Sequence, residues 1–515
     1  MNPLKWFMPT PKKPKAKKDK RADFFAEFGP GPYGNGRGGF SGGHVDRATD
    51  EWRPGTIGPN RMIEMGGKTL RERAWDLYLN NPFASAVIDA YIANVIECGL
   101  MPERDDDWER AHNRWGGLDG HATRECDLSR DCTIFELQRL WMLELLVAGG
   151  CLTHYVTVDR RTQTVPLAIE LIGEDRFQTH IQSYGSNPKT SNPVRNGFEI
   201  DTRTGRTVAW HVKTTLPNDL DYDPEQTTRI RRENGEYGYF KWKTGAKRGT
   251  TVLRSVIKWI HGLGYYADNE MFASNLKSSW AYMIKTSETI DADGFPDLAD
   301  SSPETGTTDI YGNRLDKHEP GQVFRGYPGD EIEAVGPNVP QSESLPWIMM
   351  LQRSIAIGTG VSYEESFRDY TQGSWSSVRS AMASDRKRFR PGQKFVVNHF
   401  GNPTVRRFDE SAVGAFHSSF PSPSQYVTQR DELLEDQEWA LPGWESPNPK
   451  DDAAADDIGL KNGTSTHKDI QQRRGRSWRK HFAQMELEAA TPGYPEQVIP
   501  GARNPGEPAE VEDDE

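Results

Sequence analysis

The stretch "LRERAWDLYLNNPFASAVIDAYIANVIECGL" (70–100) sets apolar residues at helical spacing on both sides of one break, Asn81-Pro82. Proline has no N–H for an interior turn, but its fixed φ suits the first turn of a helix. The pattern predicts two helices meeting at a tight link, with Pro82 opening the second. "TIFELQRLWMLELLVAGG" (133–150) is another amphipathic helix, stopped by Gly149-Gly150. "CLTHYVTVDR" and "VPLAIELIG" then alternate or run apolar as strands do. "GFEIDTRTGRTVAWHVK" (197–213) carries a hairpin pattern with Thr204-Gly205 at its turn. The body therefore reads as α+β to about residue 215.

Beyond it, residues 253–288 read as mainly helical and "SLPWIMMLQRSIAIGTG" (344–360) as a second helix. The span between them is broken by Pro, Gly, Asp and Ser, with strand-like pieces such as "QVFRGY" and "EIEAVG". Residues 1–21 are basic and proline-bearing and 29–43 are glycine-rich, the composition of a flexible arm. The last stretch is proline-rich and then acidic, the composition of a disordered tail.

With 515 residues the chain has room for two to four domains. Its formal net charge of −12 disfavours simple electrostatic gripping of nucleic acid. Four cysteines are too few for a disulfide scaffold, so reduced thiols are expected. The best apolar run, "LWMLELLVAGGCL" (140–152), is short and carries Glu144, and the N-terminus has no long apolar segment. No membrane partner is expected. Fifteen Trp suggest aromatic anchors at packed surfaces or subunit contacts.

Formal motif matches fail on context. "GPGPYG" (29–34) fits G-x-G-x-x-G but has neither the strand before it nor the helix after it that a dinucleotide site needs. "GFSGG" (39–43) fits the nucleophile elbow, yet Ser41 sits in a glycine-rich linker, and adjacent His44 supplies no triad geometry. Cys126, Cys132 and His121 lack the paired spacing of structural zinc. No phosphate-binding G-x-x-x-x-G-K-[ST] occurs. Acidic runs such as Asp105-Asp106-Asp107 and Glu364-Glu365 read as solvated surface rather than as a two-metal site. Neither catalytic residue, nor metal, nor cofactor is expected.

"SWSSVRSAMASDRKRFRPG" (374–392) says more. Trp375, Val378, Met382 and Phe389 share one helical face, a serine can cap the start, and Pro391-Gly392 can end it. Arg379, Arg386, Lys387, Arg388 and Arg390 make the helix basic, as a solvated face or as one turned to an acidic neighbour or a phosphate backbone. The preceding loop, "SYEESFRDYTQGS" (362–374), mixes Arg368, Asp369, Tyr370 and Gln372 and is long for a helix–helix link. Long irregular loops on a rigid scaffold are often functional.

The order of these segments resembles the lambda-type portal proteins of tailed phages. The resemblance rests on the 70–100 block, on "LQRLWMLELLVAGG", on the hairpin "NGFEIDTRTGRTVAWHV" and on "YPGDEIEAVGPNVPQSE". It rests further on "GVSYEESFRDYTQGSWSSVRSAMASDRKRFR" and on "DDIGLKNGTSTHKDIQQRRGRSW". It implies a portal fold of wing, stem, clip and helical crown, assembled as a closed ring, usually of twelve subunits. On that pattern residues 1–47 are an arm, 48–252 the wing, 253–288 a stem helix and 289–343 the clip. A second stem helix comes next at 344–360, a tunnel loop at 361–374, a wing helix and strand at 375–429, the crown at 430–487 and an acidic tail at 488–515.

The resemblance also implies the partners. These are other copies of the chain, the terminase large subunit, major capsid and scaffold proteins, head-completion or adaptor proteins, and double-stranded DNA sliding through the channel without sequence readout. Arg368, Asp369, Tyr370 and Gln372 would face that DNA, and Arg379, Arg386, Lys387 and Arg390 would form the basic face of the wing helix. The implied site of action is the portal vertex of the virion, with the host cytoplasm during assembly. Two other readings compete: a metal-dependent nuclease of phage DNA metabolism, and an adaptor that uses the basic arm to bind nucleic acid or scaffold.

Overall fold

The computed structural model describes residues 55–490 except 119, 121–122, 159–162, 178–191, 217–222, 224–225, 372, 436 and 445–447. Between 279 and 340 it describes only the backbones of short strands. The arm, much of the 289–343 span, Gln372 and residues 491–515 of the tail lie outside the described residues. The chain divides after Gly58, and all the elements named below belong to the second unit, Pro59–Glu515.

Helix α1 spans Pro59–Asn80 and α2 spans Pro82–Val95. Asn81 between them is extended, and its side chain accepts a hydrogen bond from the Phe83 N–H at 3.0 Å. Proline thus stands where the first turn needs no donor, as the sequence predicts. Ala84, Val87, Ile88, Ile92 and Val95 of α2 are all buried in the main core. Strand β1 (Met101–Glu103) leads to α3 (Asp106–Gly116), a helix not anticipated from sequence. The acidic run there is exposed, as expected of solvated surface, and it also forms the start of the helix. Asp105 accepts from the Trp108 N–H at 2.8 Å, and Asp106 and Asp107 sit at the positive end of the helix dipole. Helix α4 (Ile134–Val147) opens on a capping box of Thr133 and Glu136. It stops where expected, at Gly149, whose φ is +103°. A Cβ there would lie 2.6 Å from the Thr250 amide nitrogen, so only glycine fits.

Strands β2 (Gly150–Thr157) and β3 (Leu167–Gly173) come next. A second sheet runs β4 (Val194–Arg195), β5 (Phe198–Ile200), β6 (Thr207–Lys213) and β7 (Thr227–Arg231), antiparallel in chain order. Gly205 turns between β5 and β6 with φ +67°, as the hairpin pattern predicts. Strand β8 (Gly235–Tyr239) returns to the first sheet, ordered β3-β2-β8, where Leu152 lies opposite both Ile172 and Tyr237. Leu152, Ile172, Phe177, Phe198, Trp210 and Tyr237 form a second small core between the sheets.

Helix α5 covers only Ile257–Ser278. The helix expected to 288 gives way to β9 (Tyr282–Thr286). Strands β10 (Thr307–Thr308) and β11 (Arg314–Leu315) pair with each other, and β12 (Asp330–Ala334) pairs with β9, Thr286 opposite Asp330 and Tyr282 opposite Ala334. "EIEAVG" supplies β12, as its pattern predicts, whereas "QVFRGY" lies outside the described residues. The ladder closes the inserted span against the end of α5 before the chain enters α6 (Gln341–Thr359). A one-turn helix, α7 (Tyr363–Phe367), precedes α8 (Trp375–Val396).

Pro391-Gly392 does not end α8. The helix continues to Val396, passes through a π-turn at Val397–Gly401 and resumes as α9 (Asn402–Gly414). Proline removes one hydrogen bond, but Phe389, Gln393 and Val396 are buried and hold the helix in place. Gly392 packs on α2, where a Cβ would lie 2.9 Å from the Tyr91 hydroxyl oxygen. A helix α10 (Pro423–Glu435) comes after it, so the strand expected within 375–429 is absent and that span is helical. The C-terminal region is not helical alone. Strand β13 (Glu438–Ala440) pairs with β1 ahead of α11 (Pro449–Lys461), α12 (His467–Arg473) and α13 (Trp478–Ala489).

Buried charge is concentrated where α1, α4 and the end of β3 meet. Glu174 and Arg248, both fully buried, form an ion pair, and the Tyr237 hydroxyl donates to Glu174. Arg71 pairs with Asp175 at 3.2 Å. Glu144 on α4 lies beside them against Gly173. Burial first, then the charges of Asp175 and Glu174, push its carboxyl from 4.5 up to about 8, with Arg71 opposing. A raised carboxyl favours the fold below its unfolded value and weakens it progressively as pH climbs through the folded one. Glu144→Gln should therefore be more stable than the parent at pH 8, by about 1–2 kcal/mol after solvent screening. The gain should vanish toward pH 4.5, as read by urea denaturation at each pH.

Candidate functional site: the loop at 361–374 and the helix behind it

The loop hangs between α6 and α8 and is more tightly built than its composition suggests. Val361 is buried, and the Ser362 N–H donates to both carboxyl oxygens of Asp385 on α8 at 3.2 Å. Burial raises the Asp385 pKa, with the Ser362 bonds opposing. The Ser362 hydroxyl oxygen caps α7, accepting from the Glu365 N–H at 3.3 Å. Arg368 ends that helix in the left-handed region, φ +54° and ψ +30°. The chain is thus reversed within one helical turn and its next residues are turned outward.

Asp369 organises that outward stretch. It accepts from the Tyr363 hydroxyl at 2.7 Å, the Thr371 hydroxyl at 2.6 Å and the Thr371 N–H at 3.1 Å. These bonds, the Thr371 hydroxyl first, hold its carboxyl below the ordinary range. Burial first, and then Asp369, push the Tyr363 phenol up to about 12. The Arg353 guanidinium lies 5.5 Å over the same ring, and Tyr363 packs on Phe367, which meets Phe83 of α2 edge-on. Arg368 and Tyr370 are exposed and Asp369 is half-buried as the brace. Of the sequence-predicted loop residues, then, two project, one holds the loop and Gln372 lies outside the described residues.

The basic helix is placed differently from a simple cationic face. Arg379 pairs with Asp452 of α11 at 3.2 Å. Arg386 and Arg390 lie 5.7 and 5.8 Å over the ring of Trp444. Arg388 donates to the Thr359 carbonyl at 2.7 Å and ties α8 to the end of α6. Lys387 is exposed. Of Arg379, Arg386, Lys387 and Arg390, three thus face the C-terminal segment of their own chain. Phe389 is buried and Val378 and Met382 are half-buried, but Trp375 at the head of that face is 63% exposed. Sequence reasoning missed Tyr363, Asp385, Asn94 and Trp444. Only Tyr363 left a local signal, six residues before Asp369 across a short helix.

Among the described residues no three His, Cys, Asp or Glu side chains are grouped to hold a metal ion. Cys126 and Cys132 are free thiols. Among the described residues, the site offers braced polar and aromatic contacts.

The brace generates a test. Asp369→Asn removes the charge that holds Tyr363 and Thr371, so exchange of the Thr371 amide should become faster. In the parent chain this order is present above the ordinary carboxyl value of 3.8 and is lost as pH falls through the lowered folded value. Hydrogen exchange of residues 369–374 at neutral pH reads the difference. An unchanged rate would mean the brace contributes nothing.

Residues 45–393 match the family model of the phage portal protein, lambda family. The probable portal protein of Halomonas phage phiHAP-1 is 22% identical over 434 residues, spanning 81% of this chain and 79% of that protein. Portal protein B of Escherichia phage lambda is 22% identical over 424 residues, 77% of this chain and 78% of the other. A solved structure from the neck of a native GTA particle, computed with C12 symmetry, aligns over 79% of this chain and 92% of its own, at 12% identity and a TM-score of 0.40. Neither the nuclease reading nor the adaptor reading has a counterpart among these proteins. Matched by the family model over well more than half its length, the chain belongs to the lambda family of phage portal proteins.

Proposed function

We propose that copies of this chain close into a ring, of about twelve subunits on the portal pattern, that forms the DNA channel at one capsid vertex. In this reading α5 and α6 are stem helices and the span closed by β9 and β12 belongs to the clip. Residues 361–374 form the tunnel loop, and α11–α13 belong to the crown. The observation that carries the proposal is the set of large apolar side chains that α5 and α6 leave uncovered. Met271 and Phe272 are 65% and 69% exposed, and Leu345, Trp347 and Ile357 are 63%, 49% and 81% exposed. Two helices that pair with each other and still show this much apolar surface are built for a further neighbour.

The loop suits sliding contact. DNA of any sequence must pass, so base readout and dense phosphate contacts would both hinder movement. Arg368 and Tyr370 project singly, and the chain's charge of −12, repeated around a ring, opposes adhesion to the whole. The ring has no catalysis of its own. The terminase large subunit drives DNA through it, major capsid and scaffold proteins surround it, and head-completion proteins attach later. It acts in the virion and assembles in the host cytoplasm.

Electron microscopy of the purified chain, with particle mass, tests the assembly. Rings with a central hole near 700 kDa, about twelve times the 58.2 kDa chain, are expected. A monomer that persists with capsid and scaffold proteins present overturns the reading. Replacing Arg368 and Tyr370 by Ala should leave rings intact while lowering packaged or retained DNA severalfold. Loss of the rings themselves would make the loop an assembly element instead.

A further inference from the structure

The C-terminal helices enclose a cleft against α8 that the channel reading leaves unused. Two adjoining cavities, about 1040 and about 400 Å³, share Arg390, Trp444, Arg473 and Arg476 in their walls. Arg386 and Lys394 complete one side from α8, a turn to either side of Arg390. Arg474 completes the other.

Of the carboxylates in these walls, Glu97 is exposed at the edge of the larger cavity and the other four are engaged. Asp456 takes Arg473 and Arg474, each at 2.9 Å, and Asp452 takes Arg379. Asp469 accepts from Thr466 at the start of α12, and Glu103 lies with Ser477 and Lys480. Among the described residues, Arg390, Lys394 and Arg476 have no ion pair with a carboxylate. The imbalance is felt within the wall. Burial lowers the Arg386 pKa, Asp452 opposes, and Arg390 and Arg379 lower it further. Like charges held together over an indole ring favour an anionic occupant.

The chain carries one within reach. Helix α13 starts at the rim of the cleft, where Ser477 and Trp478 line it, and runs 12 residues, about 18 Å. Residues 491–515 come after it and include "EPAEVEDDE" (507–515), six acidic side chains in nine residues. The stretch from 491 to 507 can extend about 55 Å, roughly three times the return distance. We infer that the acidic stretch 507–515 of this chain seats in the cleft on Arg390, Lys394 and Arg476. The cleft is enclosed by elements of one chain, so the inference stands apart from the channel reading.

Zero-length carbodiimide coupling of the full chain, with tryptic mass spectrometry, tests it. Cleavage after Arg503 releases residues 504–515 as one peptide. An amide between Lys394 and a carboxylate of that peptide is expected, because zero-length coupling joins an amine only to a carboxylate in direct contact with it. The yield should fall at least fivefold in Arg476→Glu, and likewise for the unmodified chain in about 1 M salt, where screening acts within about 3 Å. Coupling of 504–515 only to the lysines of residues 1–21 would overturn the inference and pair the two tails instead. Coupling to Lys394 that ignores both Arg476→Glu and salt would also overturn it. If no tail coupling occurs and duplex DNA protects Lys394 from acetylation, the cleft is a phosphate site and the tail is not its occupant.

Discussion

Asn94 is the junction on which the loop, the long helix and the C-terminal region all depend. It lies near the end of α2, whose apolar side is buried in the main core. Its amide nitrogen donates to Glu365 of α7 at 2.6 Å, and its side-chain oxygen accepts from the Trp444 indole N–H at 3.0 Å. Its backbone carbonyl meets the Gln393 amide of α8 at 3.5 Å, and that amide also donates to the Pro442 carbonyl at 3.0 Å. One polar residue therefore fixes the root of the loop, the later turns of α8 and the ring over which Arg386 and Arg390 lie. Polar networks of this kind hold only when each member is satisfied, so the three segments are positioned together.

That junction explains why the loop can be both ordered and outward. Its root is bound to the core through Asn94 and through Asp385, and its aromatic pair Tyr363 and Phe367 packs back on α2. Asp369 then closes a small ring of bonds around Thr371. The side chains left over, Arg368 and Tyr370, owe their exposure to the left-handed residue that ends α7. The loop is thus anchored at its base and exposed at its tip, an arrangement that composition alone does not express.

The local chemistry of the chain is legible in sequence where it is self-contained. Asn81-Pro82, Gly149 and Gly205 each set a backbone geometry from their own covalent structure, and each stands as the sequence predicts. Reading fails where tertiary packing outvotes a local signal. Pro391 is a helix breaker by propensity, yet burial of Phe389, Gln393 and Val396 carries α8 through it. Residues 282–286 continue a helical pattern in sequence but form a strand because a partner 44 to 52 positions away supplies the ladder. Asp105-Asp106-Asp107 is solvated charge as read, but its capping role goes unseen because a cap is visible only once its helix is recognised.

The site divides the same way. Of Arg368, Asp369, Tyr370 and Gln372, all expected to face DNA, Arg368 and Tyr370 are exposed and Asp369 is half-buried. The cations of α8 read as a face looking outward because their helix alone carries no record of Trp444 or Asp452, which lie far along the chain. Their value to the fold comes from that distant pairing. Guanidinium groups over an indole keep their charge while shedding part of their hydration, so they can line a cleft without an acid beside each one. A basic helix, open in sequence to a solvated, an acidic or a phosphate neighbour, is thereby occupied largely with its own chain.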